Sequence, residues 1–269
     1  MYSEIFRIGP IALRSYGLML ALSFFAGLFY VRWRARREGI PDNIMMNLAF
    51  LLILAGIIGA RLFFVFFHWS DFSDNPFNAF NPFGSGEQIG IAGLNLYGGI
   101  VLAILVAVFY LRLKKQSLWR VLDIVAPAVG IGLFLTRIGC FLNGCCFGTP
   151  CDLPWCVHFP EGSIPFYQFG HECLHPAQLY SSAYGVILFF LLHFADKRKK
   201  FYGFTVALLL MVEAVFRYLI EFVRYYEPEM ELRIYGATFT YNNLIAIGLF
   251  LLGLTLMLVL RKRTLVERG

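Results

Sequence analysis

Charge is what this sequence has least of. Only 15% of its 269 residues are Asp, Glu, Lys or Arg, whereas a soluble domain carries about 25%. That shortage excludes an ordinary water-soluble globule. A hydrophobic content of 59% and a mean hydropathy of +0.67 indicate an integral membrane protein. No Cys-x-x-Cys occurs, which leaves a thioredoxin-like redox centre with little support. The run GCFLNGCCFGTPC is a poor match to the paired cysteines of zinc sites. Neither a metal nor a cofactor is expected. There is no internal repeat and no low-complexity tract, so residues 1–269 read as a single polytopic membrane domain. The first apolar run is not a cleavable signal peptide, because its basic cluster follows it and no small-residue cleavage site is evident.

A helix needs about 20 apolar residues to cross the hydrocarbon core. Seven stretches qualify: about 16–31, 47–67, 97–113, 121–138, 179–195, 202–221 and 242–260. The fourth is the weakest, being rich in glycine and holding Pro127. The net charge of +6 is a topology signal and does not suggest nucleic acid. Sixteen of the 23 Lys and Arg follow stretches one (Arg32, Arg34, Arg36, Arg37), three (Arg112, Lys114, Lys115, Arg120), five (Lys197, Arg198, Lys199, Lys200) and seven (Arg261, Lys262, Arg263, Arg268). Loops 68–96 and 139–178 contain none. The positive-inside rule then places the N-terminus outside and the C-terminus in the cytoplasm. The expected architecture is an all-α membrane protein with seven transmembrane helices. Loops 68–96, 139–178 and 222–241 form an external cap. All six cysteines fall in or beside one external loop, where disulfides are the default. Six cysteines allow 15 pairings, and spacing does not choose among them.

Against this scarcity, three arginines lie inside apolar stretches: Arg61, Arg137 and Arg217. An arginine in hydrocarbon costs roughly 2.5 to over 10 kcal/mol, so it normally faces an internal cavity and meets something negative. Any one of them alone is equally well read as snorkelling to the interface. Three at one depth favour an anion site, and the abundant membrane anion is a phospholipid headgroup. The same outer level collects Ser15-Tyr16-Gly17, Tyr97-Gly98-Gly99, and Asn143, His171, His175 and Gln178 from the long loop. Glu221 follows Arg217 by four residues and shares its helix face. Tyr16 and Tyr97, taken alone, fit an interfacial aromatic belt, and Gly56 and Gly59 fit helix packing. For His171 and His175, structural hydrogen bonding is favoured over metal binding.

These residues carry a resemblance. TRIGCFLNGCCFG is similar to the signature of the prolipoprotein diacylglyceryl transferase family, G-R-x-G-N/C-F-x-N-G-x-x-x-G. IGPIALRSYGLML, GARLFFVFF, LYGGIVLA, HPAQLYSS and FRYLIEFVR match further family blocks in order, over nearly the whole chain. The resemblance implies seven transmembrane helices with the N-terminus outside, in the bacterial plasma (inner) membrane. It implies transfer of the diacylglyceryl group of phosphatidylglycerol to the lipobox cysteine in a prolipoprotein signal peptide. A thioether forms and glycerol phosphate leaves, as the first step of lipoprotein maturation.

The chemistry suits the residues. Charge develops on the leaving phosphate ester, and guanidinium groups stabilise it by bidentate hydrogen bonds. Arg137 is the expected phosphate ligand. Arg217 is expected on the leaving oxygen, oriented by Glu221. Asn143 is expected on the headgroup, with Arg61, Tyr16 and Gln178 in the same pocket. Gly98, Gly99 and Gly148 would let the backbone approach the lipid. Tyr97 stands where the family often has histidine, and is expected to orient the thiol or phosphate. Cys140 stands where asparagine is common, and Cys145-Cys146 also depart from the pattern. Two other readings are an anion or lipid transporter and a membrane thiol oxidoreductase using the external cysteines. Against the first, the inner half of each stretch is almost purely apolar.

Overall fold

A computed structural model describes residues 4–8, 11–67, 69, 96–226, 231–234 and 237–266. Most of the expected loop 68–96 and part of 222–241 lie outside the described residues. The helices are α1 (Ser15–Arg37), α2 (Asp42–Phe67), α3 (Leu96–Leu113), α4 (Leu118–Asn143), α5 (Ile164–Phe169), α6 (Ala177–Lys197), α7 (Phe204–Ile220) and α8 (Tyr241–Val266). To the expected all-α architecture the structure adds three two-stranded sheets. They are β1 (Glu4–Ile8) with β2 (Ile11–Arg14), β3 (Val157–His158) with β4 (Cys173–Leu174), and β5 (Glu231–Ile234) with β6 (Ala237–Thr240).

Each apolar stretch of the sequence falls on one of the longer helices. Five are long and apolar enough to cross a membrane: α1, α2, α4, α6 and residues Asn242–Lys262 of α8. The apolar part of α3, Gly98–Leu113, is shorter, and α7 has 17 residues. The packing is inverted relative to a soluble protein. Phe29, Phe66 and Phe109 are 76%, 75% and 67% exposed, while Asp123, Gln178 and Thr205 are fully buried. Such an apolar exterior would drive association in water, and it matches hydrocarbon as solvent.

The chain divides into two compact units: residues 1–7, 12–31 and 119–269, and residues 8–11 and 32–118. In the smaller unit, Arg32 donates to both carboxylate oxygens of Asp42, at 2.9 and 2.5 Å, and Arg36 adds a contact at 3.1 Å. This bidentate clasp fixes the turn into α2 and puts negative charge at that helix's N-terminus, where the backbone dipole favours it. The helices α2 and α3 then pack backbone to backbone. A Cβ on Gly59 would sit 2.5 Å from the Gly98 carbonyl, and one on Gly99 would sit 2.8 Å from the Gly56 carbonyl. Small residues permit this approach where no hydrophobic driving force exists between helices.

In the larger unit α4 is continuous through Pro127. It crosses α6 where Gly130 and Gly185 meet. A Cβ on Gly130 would lie 2.6 Å from the Phe189 nitrogen, and one on Gly185 would lie 2.6 Å from the Phe134 nitrogen. Tyr30 of α1 and His193 Nδ1 of α6 share a hydrogen bond of 2.8 Å. Tyr184 of α6 stacks on Phe216 of α7 at 3.6 Å and donates to Glu213 at 2.9 Å. Near the start of α4, fully buried Asp123 accepts from the backbone amides of Gly203, Thr205 and Val206 at 2.8, 2.9 and 3.1 Å. These are orphan donors of the first turn of α7. Lys199 lies 3.9 Å from Asp123 and 3.0 Å from Asp196, and Thr205 donates to Asp196 at 3.0 Å.

Asp123→Ala removes a helix cap and strands buried amides. The expected loss is about 2–3 kcal/mol, read as a lowered thermal unfolding temperature in detergent. An unchanged unfolding temperature would contradict this account of α7.

Candidate active site

The signature segment spans the last turns of α4 and the chain that follows. Arg137 is half-buried, and its charge reaches the Tyr16 phenol on α1 and the Cys146 thiol. Tyr16 is brought there by Gly139, where an added Cβ would lie 2.9 Å from the Met19 Cβ and 3.5 Å from the Tyr16 ring. The helix ends at Asn143 with Gly144 in the left-handed region at φ 75°. The Gly144 amide donates to Phe141 at 3.2 Å and the Cys145 amide to Cys140 at 3.1 Å. Together these make a Schellman turn, so the Asn-Gly of the signature is a helix stop. Cys146 follows at φ 60°, a strained conformation for a residue with a side chain. The result gathers the thiols of Cys140, Cys145 and Cys146 within 4.8 Å of one another. Asn143 lies within hydrogen-bonding reach of Cys145. Hydrogen bonds from Cys140 and Cys145, with the charges of Arg224 and Arg137, hold the Cys146 thiol well below the usual thiol range.

Gln178 opens α6 fully buried. Its Nε2 donates to the Cys145 carbonyl at 2.9 Å, and its Oε1 has no hydrogen-bond donor among the described residues. The chain between α4 and α6 is tied by the β3–β4 ladder, a Cys151–Cys156 disulfide and an aromatic cluster of Phe147, Phe159, Phe169 and Tyr225. One disulfide is formed and Cys140, Cys145, Cys146 and Cys173 are free thiols, so none of the 15 fully paired arrangements of six cysteines is realised. His171 packs on Phe166, and His175 Nδ1 shares a 3.2 Å hydrogen bond with Tyr180.

Gly148, last of the signature glycines, sits where three chain segments cross. Its amide donates to His175 at 3.0 Å, and it bridges to Arg224. A Cβ there would lie 2.5 Å from both the His175 Cβ and the Val223 carbonyl. The same crossing presents Arg224, which the sequence reading did not single out. Arg224 is half-buried, lies 4.9 Å over the Tyr226 ring, and has a buried Nε without an acceptor among the described residues. Its charge reaches Cys146 on one side and Tyr226 on the other, and that of Arg217 also reaches Tyr226. The spacing Arg217–Glu221–Arg224 carried the signal, since a chain leaving a helix end keeps such residues close.

The expected Arg217–Glu221 pair is not formed among the described residues. Glu221 caps α7 just past its last turn, and its carboxylate turns to other donors: the Tyr226 hydroxyl at 2.5 Å and the Thr240 hydroxyl at 2.6 Å. Burial, then the bond to Glu221, pushes the Tyr226 phenol up to about 12, so it stays a neutral donor. Arg61, Tyr97, Gly98 and Gly99 belong to the other unit. Arg61 lies 5.8 Å over the Phe64 ring. Gly98 and Gly99 face α2 backbone. The Tyr97 side chain lies outside the described residues.

Comparison with known proteins adds to this geometry. The profile of the family described as prolipoprotein diacylglyceryl transferase matches residues 3–259. The chain belongs to the prolipoprotein diacylglyceryl transferase family. A family member from Geobacter sulfurreducens, called phosphatidylglycerol–prolipoprotein diacylglyceryl transferase, is 33% identical over 262 residues, covering 96% of this chain and 95% of that one. The transferase of the same name from Pasteurella multocida is 33% identical over 267 residues, covering 95% and 90%. That from Aliivibrio salmonicida is 32% identical over 265 residues, covering 97% and 88%. For this diacylglyceryl transferase, Gly148→Ala is expected to cost about 2 kcal/mol or more by overpacking the crossing. A lowered unfolding temperature in detergent checks it.

Proposed function

We propose that the chain transfers the diacylglyceryl group of phosphatidylglycerol to the lipobox cysteine of prolipoproteins, and that Arg137, Arg217 and Arg224 hold the phosphate. One observation supports this assignment. All three guanidinium groups lack a carboxylate partner and a hydrogen-bond acceptor among the described residues. They are linked in space through Cys146 and Tyr226. Three cations with no carboxylate partner, and with only the Cys146 thiol to share between Arg137 and Arg224, are short of negative charge and call for an anion from outside the protein. A phosphodiester flanked by two acyl chains supplies that charge and is already in the membrane.

The reaction follows from the charges. The peptide thiolate attacks the glycerol carbon that bears the phosphate. A carbon–sulfur bond forms, the carbon–oxygen bond breaks, and the electron pair stays on the leaving phosphate oxygen. Glycerol phosphate departs with one more negative charge than the diester carried, and the thiol proton is released. Guanidinium groups fixed beforehand stabilise that growing charge without reorganisation. Arg137 serves as main phosphate ligand and Arg217 stands at the leaving oxygen. Asn143, Tyr16 and the Gln178 Oε1, which needs a donor, serve the glycerol headgroup. Glu221 acts on the site through Tyr226. Tyr97 orients the thiol or phosphate where relatives often use histidine, and Arg61 completes the set of membrane arginines.

The same reading makes the protein one polytopic domain of the bacterial plasma membrane with seven crossings. The short α3 and α7 are counted because the basic clusters alternate across them. The N-terminus is outside, the C-terminus is cytoplasmic, and the chain between α4 and α6 belongs to an external cap. Its partners are phosphatidylglycerol, the lipobox-bearing signal peptide and membrane lipids.

Purified protein, phosphatidylglycerol and a lipobox peptide should give a diacylglyceryl mass gain on the peptide cysteine, with release of glycerol phosphate. Arg137→Ala should lower turnover at least about 100-fold while leaving the unfolding temperature unchanged. Normal turnover in that variant would sink the assignment. Tyr97→Phe should be more damaging than Tyr16→Phe, and equal small effects would return Tyr97 to a belt aromatic.

A further inference from the structure

We propose that Cys140, Cys145 and Cys146 form a binding site for a soft, thiophilic metal ion, with Cu(I) as the best-fitting class. The local fold brings them together: the Schellman turn reverses the chain directly after α4, and the left-handed Cys146 swings its side chain back. Gln178 fixes the turn by its bond to the Cys145 carbonyl. The Cys145 thiol points at the Cys140 carbonyl, 3.7 Å away. All three sulfurs lie within 4.8 Å of one another, Cys140 buried and the other two half-buried.

Metal–sulfur bonds of about 2.3 Å would place three sulfurs about 4 Å apart around a central ion. Only a small closing of the cluster is needed. The donor set is purely sulfur, which selects soft ions and excludes Mg²⁺ and Ca²⁺. Charge narrows the choice. Three thiolates around a monovalent ion carry −2 in total, and Arg137 and Arg224, both within reach of Cys146, offset that charge. The other sulfur group, Cys151 and Cys156 beside His175, is closed by a disulfide and offers no thiolate. One consequence rests on the phosphate reading above. An ion held here draws on the charge of Arg137, so it competes with the phosphodiester and slows transfer.

The test uses the full-length protein in detergent, with its free thiols reduced under anaerobic conditions and its disulfide intact. Cu(I) is titrated against bathocuproine disulfonate, and the loaded protein is studied by X-ray absorption. One tightly held equivalent with a shell of three sulfurs is expected. Cys140→Ser should weaken binding at least tenfold, and Cys173→Ser should not change it. Absence of a tight equivalent overturns the proposal. So does a shell containing nitrogen, which would put the ion at His175. So does undiminished uptake by the Cys140→Ser/Cys145→Ser/Cys146→Ser protein. If that protein does not fold, the wild-type absorption spectrum decides. Binding of Cu(I) without slower transfer supports the site and removes only its link to Arg137.

Discussion

A charge in hydrocarbon has to be answered, and α4 carries buried Asp123 towards its start and half-buried Arg137 towards its end. Near its start, Asp123 is answered within the protein by three backbone amides of α7 and by Lys199. Near its end, Arg137 has no carboxylate partner among the described residues, and shares the Cys146 thiol with Arg224. The same helix therefore anchors structure at one end and leaves positive potential at the other. Arg217 and Arg224 add to that potential from the end of α7, where the helix dipole also favours cations. Between these ends the glycine crossing brings α4 and α6 into main-chain contact.

Much of this was legible in the sequence. Apolar runs located the long helices, because hydrophobic length is a direct physical requirement of a bilayer. Arg137 and Arg217 stood out because charge there is rare. Arg224 did not, since it follows a helix end where a basic residue is unremarkable. The partners of Glu221 were hidden for another reason. Thr240 lies 19 residues away, and no helical period connects them. A four-residue spacing suggested Arg217, but a carboxylate at a helix cap is free to turn outward. The thiol cluster was equally hidden, because it depends on left-handed backbone at two positions after α4.

Glycine is the residue type most open to two readings. Gly98, Gly99 and Gly148 looked suited to a backbone approaching lipid. In the structure their missing side chains make room for protein backbone: α2 for the first two, and the crossing of residues 175 and 223 for the third. A close approach leaves the same mark on a sequence whether the neighbour is a ligand or another part of the chain.

The crossing of α4 with α6 has a mechanical consequence. At Gly130 and Gly185 the two helices touch through their main chains, and main chain cannot rotate out of the way as a side chain does. A slide of one helix turn that brought Phe134 or Phe189 to the crossing would drive a bulky side chain into that contact. The helix that carries Arg137 is thus set against α6 main chain to main chain, with no side chain between them to act as a compressible spacer.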